Sequence, residues 1–431
     1  MRTPPLKAAL LAALTVGLTL APPARAHETD QYSLPLSPPF ADLGPYLDAV
    51  HTLALERVVA DLNADIDRVL AKPPGPWRED RLARLHNPEL LVDRVYAQFS
   101  DPFTEVLDVE HAVRTSWADR AFPGQRTAHW SLGWIYSATH FPLDPRRFTL
   151  LFQASTIKAH GVYFGTDKLS HFHHMGRMYD EAYRAQRRAG RTHEQAAASI
   201  VNQYADGCLI AETTFLGFIP SGMLSNADLA ANYAGFKFYR NITEPVTLRG
   251  ESLEPLVVRK GPHWRLNQHV RPDSGWFGAF ISDHWNEALN PCLYSDAYLT
   301  TRTRAVLRSR AASILRFYTE ADHRPMDPAY YDELAVTLST LDGEDYGHRG
   351  SPQELMTLGN TCIPALREAA QPAAGAVVVP IGWAGVRASR PPADAAPTQA
   401  RRLPPAIAAT AEAGPSTPAP SRPPQSRGSA P

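Results

Sequence analysis

The sequence has few cysteines and no excess of charge. Three cysteines occur among 431 residues, Cys208, Cys292 and Cys362, so at least one must stay unpaired. Cys292 follows Pro291 and Cys362 precedes Ile363-Pro364, so both are expected in loop-like contexts, where an oxidising compartment could join them. Cys208 lies in an apolar helical run and is expected to be a buried thiol rather than a nucleophile. The formal net charge of −1 gives no reason to expect nucleic acid as a partner.

Long apolar runs are missing beyond the first residues. The most apolar late segment, residues 376–386, is interrupted by Pro380 and Gly382 and is shorter than the roughly 20 residues that span a bilayer. We therefore expect no transmembrane segment in the mature chain. The sequence also has no nucleophile elbow, P-loop, zinc-protease motif or dinucleotide fingerprint in a fitting context. No common enzyme class is indicated by a motif.

The first residues have the three-part pattern of a secretory signal. Arg2 and Lys7 supply positive charge, residues 10–20 form an apolar run, and residues 24–26 offer small side chains for cleavage. We predict a signal peptide over residues 1–26. The mature protein is then expected to be periplasmic or secreted.

Composition and hydrophobic spacing divide the remaining chain into three parts. Residues 27–45, rich in Pro, Ser and Asp, predict an extended lead-in. Residues 46–369 predict one mainly α, multi-helix globular domain with long irregular connections. Within it, residues 245–276 contain a strand-like segment at 255–259 and predict a small β excursion. Residues 370–431 are rich in Pro, Ala, Ser and Arg and predict a disordered tail, because they cannot bury enough apolar surface.

The strongest chemical signal lies in residues 165–176. At about 100° per residue, Asp167, His171 and His174 share one face of a helix that Thr166 can cap. Asp167 and His171 are four residues apart, so the carboxylate can orient the imidazole and raise its basicity. This pattern suits a general base, or a divalent metal held by His171, His174 and a carboxylate. The alternative is a dipole-stabilising carboxylate beside two hydrogen-bonded histidines.

Further candidate residues follow on two later helices. Glu212 lies at the edge of an apolar stripe, where a carboxylate needs a histidine or lysine partner or must reach water. Ser225 and Asp228 have capping-box spacing, which favours a structural role for Asp228. Asp228 nevertheless shares a face with Asn232 and with Gly235, which permits close helix approach. Asn232 is a poor helix former without a capping role and is therefore the better functional candidate.

A weaker constellation is the segment Asp283-His284-Trp-Asn-Glu287. It places two carboxylates four residues apart beside a histidine and could add to a site. This pattern is more typical of a solvated turn or helix start.

The order Asp-Lys-x-x-His-Phe, then a glutamate, then Asp-x-x-x-Asn-x-x-Gly resembles the pattern of VanZ-like proteins and the related YfiM-like periplasmic lipoproteins. The matching positions are Asp167, Lys168, His171, Phe172, Glu212, Asp228, Asn232 and Gly235. The likeness covers about 70 residues. It implies a helical core with a shared polar cluster in the cell envelope, and it supplies no reaction. VanZ-like proteins are membrane-embedded and YfiM-like proteins carry a lipid anchor, whereas this chain is expected to have neither.

Two functions remain open from the sequence. The first is a hydrolase or transferase acting on a lipid-linked or cell-wall glycan substrate. In it, His171 is a base or metal ligand, Asp167 orients it, and Glu212 is a second acid or base. Lys168 or Asn232 would hold an anionic or amide group. The second is a non-catalytic structural or binding protein in which these residues form a buried network that fixes helix packing. The candidate catalytic residues are Asp167, Lys168, His171, Glu212, Asp228 and Asn232.

Overall fold

The computed structural model describes residues 29–99, 109, 112–113, 115–130, 154–205, 222–294 and 296–371. The described residues all belong to one compact unit. The predicted signal peptide, Cys208, Glu212 and residues 372–431 of the predicted tail lie outside the described residues.

The fold is mainly α, as predicted. The α-helices are α1 (Gly44–Leu70), α2 (Pro76–Leu85), α3 (Pro88–Tyr96), α4 (Ser116–Ala121), α5 (Asp167–Ser170), α6 (Gly176–Arg188), α7 (His193–Ala205), α8 (Asn226–Asn241), α9 (Ala297–Ser309), α10 (Ala311–Glu320), α11 (Pro328–Thr337) and α12 (Leu358–Ala370). A π-helical segment covers His171–Met175, and 3-10 helices cover Trp276–Phe280 and Asp283–Trp285. Among the described residues, no helix combines the length and the apolar character needed to cross a membrane.

The strands are short and pair two by two in antiparallel fashion. They are β1 (Thr156–Ala159), β2 (Val162–Gly165), β3 (Met223–Leu224), β4 (Val246–Leu248), β5 (Glu251–Leu253), β6 (Val257–Lys260), β7 (His263–Leu266) and β8 (Leu293–Tyr294). The hairpins β4–β5 and β6–β7 both fall within residues 245–276, which confirms the predicted β excursion. Strand β8 pairs with β3 at the start of α8, and β2 leads directly into α5.

The polar residues of interest lie on two helices that cross closely. Segments α5, π and α6 follow one another without a break from Asp167 to Arg188. They cross α8, whose residues from Asn226 to Tyr239 are all buried. A Cβ atom added at Gly235 would lie 1.8 Å from the Phe172 carbonyl oxygen, and one at Gly176 would lie 2.6 Å from the Gly235 backbone. The close approach predicted for Gly235 is therefore confirmed, because any side chain there would overlap the facing backbone.

The two described cysteines are not joined. Cys292 and Cys362 are buried in the same hydrophobic cluster as Ile314 and Leu315. Burial raises the pKa of Cys362 to about 12. The expectation that the two could form a disulfide is not met in this structure, and both act as core side chains.

Candidate functional site

The centre of the site is a lysine surrounded by three carboxylates. Lys168 Nζ lies 2.8 Å from Asp167 Oδ2, 2.5 Å from Asp228 Oδ1 and 2.6 Å from Glu287 Oε1. We call Lys168, Asp167, Asp228 and Glu287 the carboxylate cluster. Three carboxylates against one ammonium leave an excess of two negative charges when all are ionised. An uncompensated charge in a protein interior is costly, so this cluster favours taking up protons or a cation.

Local structure explains how the cluster is assembled. Asp167 and Lys168 form the first turn of α5 directly after strand β2. Asp228 is in the first turn of α8, and its backbone N–H donates to the Ser225 hydroxyl at 3.2 Å. The capping interaction predicted for Ser225 is therefore present. Because the cap uses the backbone N–H of Asp228, the carboxylate of Asp228 remains available to the cluster. Asp228 can therefore both contribute to the helix cap through its backbone and take part in a site through its side chain.

Burial and charge set opposite trends for the ionisable groups in the cluster. Burial would lower the pKa of Lys168, but Asp167, Asp228 and Glu287 reverse this effect and hold that pKa well above its usual value. Burial raises the pKa of Glu287 to about 7, with Asp167 and Asp228 adding to the rise and Lys168 opposing it. The cluster therefore keeps the lysine charged and can store a proton on Glu287 near neutral pH.

His171 lies at the outer edge of the carboxylate cluster. Its Nδ1 is 3.0 Å from Asn232 Oδ1, and its Nε2 is 3.4 Å from Asp228 Oδ2. When Nδ1–H donates to the amide oxygen, a neutral ring directs the lone pair of Nε2 towards a carboxylate oxygen. That approach becomes favourable when a proton or a cation lies between the two atoms. The His171 side chain is 12% exposed, whereas Lys168 and Glu287 are fully buried. Of these side chains, His171 is the most exposed to solvent.

The same edge contains a set of metal-ligand types. One ligand atom each from Asp167, His171 and Asp228 lies within 4.8 Å of the others. Two carboxylate oxygens and one imidazole nitrogen form a donor set suited to a divalent cation, and three protein ligands leave positions for water or substrate. Within the part of the chain that the structure describes, this is the group of three side chains close enough to share an ion.

His174 does not belong to that group, in contrast to the predicted ligand pair of His171 and His174. The residues from His171 to Met175 form a π turn, in which the Gly176 N–H donates to the His171 carbonyl. A π turn contains more residues than an α turn, so His174 is displaced around the helix axis relative to α-helical spacing. His174 Nδ1 instead lies 3.1 Å from the Tyr96 hydroxyl. The ligand prediction for His174 assumed regular α-helical geometry, and the π segment breaks that assumption.

Five of the six predicted catalytic residues are brought together: Asp167, Lys168, His171, Asp228 and Asn232. Glu212 lies outside the described residues. Lys168 is enclosed by three carboxylates, and its predicted role of holding a substrate anion stays a prediction.

Two residues of the site, Glu287 and Thr29, are not among the candidate catalytic residues predicted from the sequence, although Glu287 belongs to the weaker constellation at 283–287. The segment that contains Glu287 was expected either to add to a site or, more typically, to be a solvated turn or helix start, and Glu287 is fully buried against Lys168. The Thr29 hydroxyl donates to Asp167 Oδ1 at 3.0 Å. The four-residue spacing of Asp283 and Glu287 was the available signal for Glu287. No local pattern marked Thr29, because its contact spans 138 positions of sequence.

A second buried histidine site lies on the other side of the π segment. His173 Nε2 is 3.0 Å from His51 Nε2, and His51 Nδ1 is 2.7 Å from the Leu47 carbonyl oxygen. The carbonyl requires a proton on His51 Nδ1, so His51 Nε2 accepts and His173 Nε2–H donates in a neutral pair. The His173 ring stacks on Phe99 with centroids 4.1 Å apart. Burial lowers the pKa of His173 to about 3.

Comparisons with family models, curated proteins and solved structures found no match to this chain. The resemblance to VanZ-like and YfiM-like proteins therefore stays a prediction. Functional inference depends on the site itself.

Proposed function

We propose that this protein is a cell-envelope hydrolase or transferase that uses a divalent cation held by Asp167, His171 and Asp228. The observation that carries the proposal is the convergence of these three ligand atoms within 4.8 Å at the partly exposed edge of the carboxylate cluster. The cation would lower the pKa of a bound water or polarise an acyl or phosphoryl oxygen.

The charge balance supports a cation at this place. The carboxylate cluster has more carboxylates than its single ammonium can neutralise. A divalent cation beside Asp167 and Asp228 would offset the excess of two negative charges. It would also be placed to receive the His171 Nε2 lone pair, which otherwise faces Asp228 Oδ2.

The chain's own residues orient the ligands. The Asn232 amide oxygen accepts from His171 Nδ1 and so fixes the ring with Nε2 towards Asp228. Lys168 binds Oδ2 of Asp167 and Oδ1 of Asp228, while Asp167 Oδ1 accepts from Thr29 and Asp228 Oδ2 faces His171 Nε2, so each carboxylate is held in a fixed orientation. Glu287 can take up or release a proton at the buried end. A site that transfers protons needs ligands in fixed positions and a group that can take up or release a proton. The residues named here would supply both.

The substrate class follows from the predicted location. The secretory pattern of residues 1–26 would place the mature chain in the periplasm or outside the cell. The resemblance to VanZ-like and YfiM-like proteins would likewise place the polar cluster in the cell envelope. Lipid-linked and cell-wall glycan substrates in this compartment contain the phosphoryl and acyl groups that a divalent cation activates.

The proposal is tested by elemental analysis of the purified protein, followed by titration of the chelator-treated protein with Zn²⁺ and Mn²⁺. We expect about one ion per chain in the wild type, and a loss of affinity of at least about 100-fold in His171→Ala because a direct ligand is removed. His174→Ala is the matched control, since it removes an imidazole from the same π segment, three positions after His171. Chromogenic phosphodiester and ester substrates, with and without the ion, then test for hydrolysis.

Three outcomes are informative. Loss of the ion in His171→Ala but not in His174→Ala supports the ligand set. Equal loss of the ion in both variants would favour the ligand pair predicted from the sequence, His171 and His174. Absence of a bound ion from the wild type at millimolar Zn²⁺ and Mn²⁺ would refute the cation proposal.

A second candidate function is a non-catalytic protein in which the carboxylate cluster fixes helix packing. The observation that favours it is the full burial of Lys168 between carboxylates from α5, α8 and the segment after the second 3-10 helix. Such a network can specify how elements meet. In that case His171→Ala would lower the melting temperature strongly, and neither ion binding nor hydrolysis would be detected in the wild type.

A further inference from the structure

The N-terminal segment Thr29–Tyr32 is buried in the core beside the site. Thr29, Gln31 and Tyr32 lie among the buried residues, and the segment precedes α1 by more than ten positions. Residues 27–45 were predicted as an extended lead-in, and the sequence gives no reason for such a segment to be buried. Its contacts give that reason, because they reach both Asp167 and Glu287.

Thr29 holds one oxygen of Asp167. Its Oγ1–H donates to Asp167 Oδ1 at 3.0 Å, while Lys168 binds Asp167 Oδ2 at 2.8 Å. Both carboxylate oxygens are therefore fixed, and the plane of the carboxylate is set. A Cβ atom at Gly165 would lie 1.9 Å from Thr29 Oγ1 and 2.1 Å from Asp167 Oδ1. The lack of a side chain at Gly165 is what leaves room for the Thr29 contact.

Gln31 and Tyr32 hold the backbone of Glu287. Gln31 Oε1 accepts from the Glu287 N–H at 3.2 Å, and the Tyr32 hydroxyl donates to the Glu287 carbonyl at 3.1 Å. Tyr318 secures the segment from the other side, because its hydroxyl donates to the Gln31 carbonyl at 3.0 Å. The segment therefore contacts two of the three carboxylate residues that surround Lys168, although it lies more than 120 positions from each of them in the sequence.

We infer that Thr29–Tyr32 is a positioning strap for the site, in which Thr29 sets the orientation of the Asp167 carboxylate for cation binding. This inference rests on the proposed cation site. Groups that hydrogen-bond a metal ligand orient it and tune it, and their removal typically lowers metal affinity by about 10–100-fold. Thr29 does so without touching the ion, so it is a positioning residue rather than a ligand.

The test compares three variants of the purified full chain by calorimetric titration with Zn²⁺ and Mn²⁺. Thr29→Val removes the hydroxyl while keeping the shape, and we expect a loss of cation affinity of about 10-fold or more. Thr29→Ser keeps the hydroxyl and should restore affinity to within about threefold, because the donor to Asp167 is retained. Thr303→Val is the matched control: Thr303 is fully buried on α9, and its hydroxyl has no hydrogen-bond partner among the described residues. Melting temperatures measured without ions show whether each variant is folded.

The outcomes separate this inference from the proposed function. Weak binding in Thr29→Val, with normal binding in Thr29→Ser and Thr303→Val, supports the strap. Unchanged binding in Thr29→Val, when the wild type binds, overturns the strap and leaves the cation site intact. Equal weakening in Thr303→Val overturns it as well, because any buried hydroxyl would then have the same effect. A wild type that binds no ion overturns both.

Discussion

His171 and His173 lie two residues apart in one π-helical segment, yet their surroundings differ completely. His171 is partly exposed and lies between the Asn232 amide and the Asp228 carboxylate. His173 is fully buried, with its ring stacked on Phe99 and hydrogen-bonded to His51. Carboxylates around the first histidine favour a proton or a cation, whereas aromatic rings around the second favour a neutral ring.

The comparison shows that burial alone does not identify a functional histidine. His173 is the more buried of the two and burial lowers its pKa, but the described residues packed around it are aromatic rings rather than carboxylates. The carboxylate cluster next to His171 contains an excess of negative charge. The two sites should therefore respond in opposite directions to loss of charge and to changes of pH.

The largest expected effect comes from removing the only ammonium of the carboxylate cluster. Lys168→Met leaves Asp167, Asp228 and Glu287 buried without a counter-charge, so we expect the free energy of unfolding to fall by about 3–5 kcal/mol at neutral pH. Urea denaturation of the wild type and the variant in the presence of a chelator measures this difference.

Lys237→Met is the matched control for Lys168→Met. Lys237 is also nearly buried, but it pairs with one carboxylate, Glu344, at 2.5 Å, and the Glu344 side chain is 31% exposed. Water can solvate Glu344 once the lysine is removed, so the loss should be smaller. Equal losses in the two variants would show that the carboxylate cluster has no special charge balance.

The next effect concerns how the free energy of unfolding changes with pH because of His173, in the second buried histidine site. Burial lowers the pKa of His173 to about 3, whereas the unfolded chain has a pKa near 6.5. Between these values the unfolded state binds more protons, so His173 lowers stability as the pH falls from about 6.5 towards about 3. The slope is at most about 1.4 kcal/mol per pH unit.

His173→Phe should flatten that slope, because phenylalanine keeps the stacking on Phe99 and cannot titrate. Urea denaturation at a series of pH values gives the free energy of unfolding of both proteins. The difference between them should change across pH 3–6.5 and stay constant from pH 7 to 8, which serves as the internal control. A difference that is constant over the whole range would mean that His173 takes up its proton in the folded protein as readily as in the unfolded chain.

Sequence reasoning located the site because its residues repeat at helical spacing. Asp167, Lys168 and His171 lie within two helical turns, and Asp228 and Asn232 lie four residues apart. Helical spacing therefore predicts that the members of each set lie close together on their helix. The mainly α class and the small β excursion followed from the same kind of pattern. Gly235 was recognised because glycine inside a helix commonly permits close approach.

The remaining features depend on contacts that periodicity does not contain. Thr29 and Glu287 reach the cluster from distant parts of the chain, and the sequence around Glu287 is typical of a solvated turn, so its burial against Lys168 is visible only in the structure. His174 lies 3.1 Å from the Tyr96 hydroxyl rather than in the group of Asp167, His171 and Asp228, because the segment that carries it is a π turn and not the regular α-helix that the spacing assumed. His51, the partner of His173, lies 122 positions away.

The smallest expected effect reverses the sign of the pH dependence seen at His173. Burial raises the pKa of Glu287 to about 7, above its value in the unfolded chain, so the folded state binds the extra proton. The stability that this proton contributes is fully present below about pH 4.5 and is lost as the pH rises through about 7. Glu287→Gln cannot titrate but keeps a similar shape. Its stability relative to the wild type should therefore rise between pH 4.5 and 7, by on the order of 1–3 kcal/mol.

Urea denaturation of chelator-treated Glu287→Gln and wild type over that range measures the change. Glu344→Gln is the control: burial tends to raise the pKa of Glu344, but Lys237 and Tyr233 outweigh burial and lower it. A carboxylate with a lowered pKa contributes stability that is lost only as the pH falls below its unfolded value near 4.5, so the stability of this variant relative to the wild type should change little between pH 4.5 and 7. If Glu287→Gln instead loses stability relative to the wild type as the pH rises, Glu287 is ionised in the folded protein throughout. The carboxylate cluster would then hold its full negative charge without a stored proton, which would strengthen its requirement for a cation.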